Sequence, residues 1–122
     1  MSTGNISLGK KGEDEAARFL ASLGYRLLER NYRCRFGEVD LIAKDGQSIV
    51  FVEVKTRANE NYGTPKHSVD DRKQRRISLA SQDYMVKKGL TESAARFDVV
   101  SITEDKNGFS VEHVIDAFEA AE

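Results

Sequence analysis

Gly37-Glu38-Val39-Asp40-Leu41-Ile42-Ala43-Lys44-Asp45-Gly46-Gln47-Ser48-Ile49-Val50-Phe51-Val52-Glu53-Val54-Lys55 reads as two strands joined by a tight turn. Ile49 to Val54 is β-branched and aromatic enough for a buried strand, and Asp45-Gly46 is a strong two-residue hairpin signal. A turn on those two residues sets Lys44 opposite Gln47, Asp40 opposite Phe51 and Glu38 opposite Glu53. Side chains then alternate, so Glu38, Asp40, Glu53 and Lys55 share one face while Val39, Leu41, Val50, Val52 and Val54 share the other. Unpaired ionised carboxylates in such strands are costly, so a cation is expected beside them.

Convergent carboxylates without a paired His or Cys make a hard, oxygen-rich site suited to Mg²⁺ or Mn²⁺ rather than zinc. With a lysine beside it, such a site suits phosphodiester hydrolysis, because metal and ammonium both stabilise charge building on a phosphate. The plain alternative is a surface salt bridge between Glu53 and Lys55.

A first helix is expected over Leu8 to Leu23, with Ala16, Ala17, Leu20 and Leu23 as its apolar stripe and Gly24 as its stop. Glu13 falls in that stripe and points toward the sheet, unless it is a first-turn acid favoured by the helix dipole. Gly9 and Gly12 beside it allow close approach of another segment. A second helix is expected from about Val69 to Lys88, capped by Ser68, with the stripe Val69, Lys73, Ile77, Ala80 and Tyr84. Lys73 either snorkels out of that stripe or, with Gln74, reaches the carboxylate pocket. Further strands are expected near Tyr25 to Arg33, Arg96 to Thr103 and Phe109 to Ile115, with Lys106-Asn107-Gly108 as a second hairpin turn. The order α-β-β-β-α-β-β makes an α/β fold with helices covering a mixed central sheet.

The pattern D-x12-E-x-K, from Asp40 to Glu53-Val54-Lys55, resembles the core of the PD-(D/E)xK nuclease superfamily, which includes Holliday-junction resolvases. The proline of that name is absent, and Gly37-Glu38-Val39-Asp40 stands in its place, as in the resolvase branch. Gly12-Glu13, Gly24-Tyr25, Asn31, Gly37 to Ile42, Phe51 to Arg57 and Arg96 to Val100 together resemble the bacterial YraN family over nearly the whole chain. The resemblance implies a restriction-endonuclease-like core and carries metal-site roles to Glu13, Asp40 and Glu53, with Lys55 as catalytic partner; Glu38 on the hairpin face, and Lys73 and Gln74 on the second helix, are supporting candidates from the residues' own spacing.

With 122 residues, 39% of them hydrophobic, the chain reads as one domain with an acidic C-terminal tail from about residue 104. No segment is apolar enough to span a membrane and Met1 to Asn5 lacks a signal core, so a cytoplasmic location is expected. Lone Cys34 reads as a strand residue, His67 and His113 as structural or surface groups, and Asp98 as structural, paired with Arg96 or with a helix. The net charge of −1 hides an asymmetry: residues 104–122 carry six acids against one lysine, leaving 18 bases against 14 acids before them. Arg33, Arg35, Arg57, Lys66, Arg72, Arg75 and Arg76 form candidate patches along a phosphate backbone, solvated helix faces being the ordinary alternative. The expectation is a Mg²⁺- or Mn²⁺-dependent endonuclease acting on DNA, structured or branched DNA included, with a homodimer allowed. Its rival is a non-catalytic nucleic-acid-binding module on the same fold, and a third reading is a protein-interaction domain with a structural charge cluster.

Overall fold

A computed structural model describes residues 7–58 and 69–121. The elements run α1 (Leu8–Ser22), β1 (Arg26–Cys34), β2 (Gly37–Asp45), β3 (Ser48–Arg57), α2 (Asp71–Lys87), β4 (Ala95–Asp105) and β5 (Gly108–Phe118). The five strands form one mixed sheet in the order β1-β2-β3-β4-β5, parallel only between β3 and β4, where α2 supplies the crossover. The architecture is therefore the α/β one expected, in the expected order.

Each helix covers one face. Ala16 and Leu20 of α1 pack with Leu41, Val50, Val52, Val100 and Ile102. Ile77, Ala80 and Tyr84 of α2 pack with Ile42, Phe51, Phe97 and Val99 on the opposite side. Buried on both faces, β3 needs a continuous apolar run, and Ile49 to Val52 supplies it. Gly24, at φ 89°, ends α1 in the left-handed conformation, while Leu23 of the expected stripe is 48% exposed at the C-cap. The cap of α2 is Asp70, whose side chain accepts from Lys73 N; Ser68, expected there, lies outside the described residues.

The β2–β3 register differs from the expected one by one residue on each arm. Asp45 pairs with Ser48 and Ile42 with Phe51, so Gly46 and Gln47 form the loop rather than Asp45 and Gly46. Gly46, at φ 60°, thereby occupies the first loop position, where a type II′ turn favours glycine. Moving both arms by one preserves parity, so Phe51, Glu53 and Lys55 keep their face. The face assignment of Val39 changes: it packs in the α2-side cluster, although Leu41 packs against α1. Alternation breaks at Asp40, beyond the last β2–β3 pair, Leu41 with Val52. There the Asp40 carboxylate accepts the Val54 N–H at 2.8 Å, a side chain taking the place of a ladder carbonyl.

At the other end of the sheet, wholly buried Asp98 accepts from Arg96 Nε at 3.0 Å and the Asp116 N–H at 2.9 Å, and lies 2.7 Å from His113 Nε2. Burial pushes its carboxyl up, but the His113, Arg96 and backbone contacts outweigh it and hold it below the ordinary value. Asp98 is thus a structural pin with Arg96 as its partner. No helix among the described residues is long and apolar enough to cross a membrane.

Candidate functional site: a carboxylate and lysine cleft

Where β2 and β3 stop pairing, a cleft of about 770 Å³ opens between the first turns of the two helices. Glu13, Asp40, Glu53, Lys55 and Lys73 all line it. Asp40 of β2 and Glu53 of β3 therefore converge, and Lys55 joins them from β3.

Glu53 is nearly inaccessible, its side chain 6% exposed, and two ammonium groups address one of its oxygens. Lys73 Nζ lies 2.5 Å from Oε2 and Lys55 Nζ 3.9 Å from it. Among the described residues no cation forms an ion pair with Asp40. Burial, and next the Glu53 carboxylate, push its pKa up to about 7, against the opposing effect of the Val54 N–H. Burial and then neighbouring Lys73 pull the Lys55 ammonium below the ordinary lysine value. Burial acts downward on Lys73 too, but the bond to Glu53 outweighs it and raises the group. The cleft thus sets a buried and a partly buried carboxylate, which repel each other, beside two crowded ammoniums, both of them on the Glu53 side.

Glu13 enters from α1 because Gly12 lets the helix press onto β3. A Cβ at Gly12 would lie 2.1 Å from Thr56 Oγ1 and 2.6 Å from its Cγ2, which no side chain tolerates. Gly9 has no comparable neighbour, its nearest atom being Ser7 Oγ at 4.0 Å. Glu13 Oε1 accepts from Arg30 NH2 at 3.0 Å and Asn31 Nδ2 at 2.9 Å. Sequence reasoning did not find this task for Arg30. Its neighbour Asn31 carried the one available signal: polar side chains such as Asn enter the left-handed region more readily than most, and Asn31 lies there at φ 53°.

The remaining candidates separate. Glu38 lines the cleft but is half-exposed and bonded to Arg33 Nε at 3.2 Å. Gln74 donates Nε2–H to the Val69 carbonyl at 2.9 Å and is absent from the cleft lining, so it serves the start of α2 rather than the carboxylates. Arg33 and Arg57 line the cleft, and Arg33, Arg72 and Arg76 line a second groove that continues it past Lys73 along α2. Arg35 stacks over Phe36 at 4.8 Å and Arg75 lines neither groove. Lys66 lies outside the described residues.

Among the described residues no three His, Cys, Asp or Glu side chains are set to hold a metal ion together. The donor set nevertheless suits a hard dication, since Asp40, partly buried, and Glu53, buried, are carboxylates whose repulsion a cation would relieve. Water and an anionic ligand would complete the shell.

A family model described as an uncharacterised protein family, UPF0102, matches residues 12–102. A UPF0102 protein of Syntrophus aciditrophicus is 51% identical over 98% of this chain and 94% of its own, and one of Geobacter metallireducens is 49% identical over 99% of each. Among solved structures, Pyrococcus furiosus SfsA in complex with Ca²⁺ aligns over 88% of this chain and 61% of its own, at 11% identity and a TM-score of 0.37. A likeness that faint carries no argument about this chain.

Proposed function

We propose that this chain, which belongs to the UPF0102 family, is a metal-dependent endonuclease hydrolysing phosphodiester bonds in DNA, with structured or branched DNA as the first substrate class to test. One observation carries the reading: Asp40, Glu53 and Lys55 share a cleft with Glu13, and Asp40 and Glu53 stand close enough to repel each other's charge. The D-x12-E-x-K spacing and its likeness to PD-(D/E)xK nucleases and the YraN family support it.

Asp40 and Glu53 would hold Mg²⁺ or Mn²⁺, with Glu13 at the rim. A bound dication would neutralise charge building on the phosphate and favour attack by water. Glu13, fixed by Arg30 and Asn31, is aimed into the cleft and can orient a water there. Lys55 keeps its proton at Nζ beside Glu53 and can donate it as a hydrogen bond to a phosphate oxygen as charge builds. The Val54 N–H holds the Asp40 carboxylate in place throughout.

A non-catalytic binding module is favoured by one observation, that Glu13 is already satisfied by Arg30 and Asn31 and no third acid among the described residues completes a ligand set. Cleavage of single-stranded, duplex and four-way-junction DNA with Mg²⁺ or Mn²⁺, beside Asp40→Ala, decides between them. Wild type is expected to cut at least one substrate and Asp40→Ala none. Binding without cutting under every condition would install the binding module instead.

A further inference from the structure

Lys73 comes from a different element than the residues it meets. It stands in the first turn of α2, its backbone N–H fixed on the Asp70 cap at 2.9 Å, while its side chain is 44% exposed. The anchored backbone and long stem let the ammonium swing without disturbing the helix. Its present partner is Glu53 Oε2 at 2.5 Å, the oxygen that also faces Lys55. Lys55 cannot be spared in the same way, since it is tied to β3 two residues beyond Glu53.

We propose that Lys73 is the resident cation of this cleft: it holds the Glu53 oxygen that a dication requires and yields it when the dication binds. This rests on the metal-dependent reading above. Magnesium sits about 2.0–2.1 Å from its oxygen ligands. An ammonium at hydrogen-bond distance from that oxygen would compete for its lone pairs and repel the ion. Exchange resolves the conflict, since one positive charge at that oxygen gives way to two while Lys55 keeps its place. The displaced ammonium lies where the cleft joins the arginine-lined groove, since Lys73 lines both, and it is free there to meet a phosphate. Metal affinity without DNA is thereby lowered, and substrate favours loading by giving Lys73 another anion.

Calorimetric titration of the chelator-stripped full chain with Mn²⁺, with no DNA present, tests this. Lys73→Met keeps the stem and removes the charge, and is expected to bind Mn²⁺ about 10-fold more tightly than wild type. Lys73→Arg keeps a competing cation and should match wild type. Thermal melts in chelator check that each variant folds, and Mn²⁺ should raise the Lys73→Met midpoint more than the wild-type one. Equal or weaker Mn²⁺ binding by folded Lys73→Met would overturn the exchange while leaving the nuclease reading intact if wild type still cuts DNA. Failure of every variant to bind Mn²⁺ would overturn both.

Discussion

Asp40 has a hydrogen bond but no ion pair with any described residue, while Glu53 has two ammoniums. Its folded pKa of about 7 lies above the ordinary carboxyl value of 3.8. A raised folded value means that the protonated carboxyl fits the fold and the ionised one does not. The stability linked to its proton is therefore full below about pH 4 and is lost as pH rises through about 7. Asp40→Asn keeps an acceptor for the Val54 N–H and never ionises. In chelator at pH 8 it should be more stable than wild type by on the order of 1–3 kcal/mol, with the difference vanishing near pH 4. Urea melts at the two pH values measure this, and a variant less stable than wild type at pH 8 would show that the Asp40 charge is structurally needed. Glu53 stands apart, since its removal would strand Lys73 and Lys55 together.

At the level of elements, Gly12 sets the distance between α1 and β3 and thus the reach of Glu13. Alanine in a helix is ordinarily better than glycine by about 0.5–1 kcal/mol. Here a Cβ 2.1 Å from Thr56 Oγ1 reverses the sign. Gly12→Ala is expected to cost about 1–3 kcal/mol and to reduce cleavage by displacing Glu13. Thr56→Ala added to it should recover most of that stability in a double-mutant cycle, and no recovery would place the cost elsewhere. The hairpin, most of the apolar stripes and the order of the elements were legible because each follows from spacing along the chain. The turn was misread by one residue, yet Phe51, Glu53 and Lys55 kept their face because a shift on both arms preserves parity. The break of alternation at Asp40 was illegible, since there a side chain takes the place of a ladder bond between strands. Partner choice was illegible for the same reason: nothing local to Arg30 or Lys73 says that one meets Glu13 and the other Glu53.

Across the whole molecule the bases sort into spent and unspent ones. On the α1 side Lys10 pairs with Asp14, Arg18 with Glu15, Lys11 with Glu104, and Arg30 with Glu13 and Asp14. Arg96 is committed to Asp45 and Asp98 at the far end of the sheet. On α2, by contrast, Arg72, Arg75 and Arg76 make no ion pair with any described residue. Arg72 and Arg76 stand one helical turn apart and line the groove that continues the cleft, whereas Arg75 lines neither. Gly37 makes this groove narrow, since a Cβ there would lie 3.3 Å from Arg76 Cβ. A polyanion reaching Lys55 would therefore be held from the α2 side. Each arginine that contacts a phosphate adds roughly 0.7–0.9 to the slope of log affinity against log salt. Arg76→Ala should lower that slope by about one such contact and weaken DNA binding, with turnover at saturating DNA little changed. Arg75→Ala should leave the slope where it was, despite carrying the same charge one residue away. Lys55→Ala should abolish cleavage while costing binding no more than one phosphate contact, because its contribution is made as charge builds in the transition state. Binding titrations over a salt series, with single-turnover cleavage on the same junction and duplex, measure all three. Equal slopes for Arg75→Ala and Arg76→Ala would mean that the general field of the helix, and not the groove, attracts the nucleic acid.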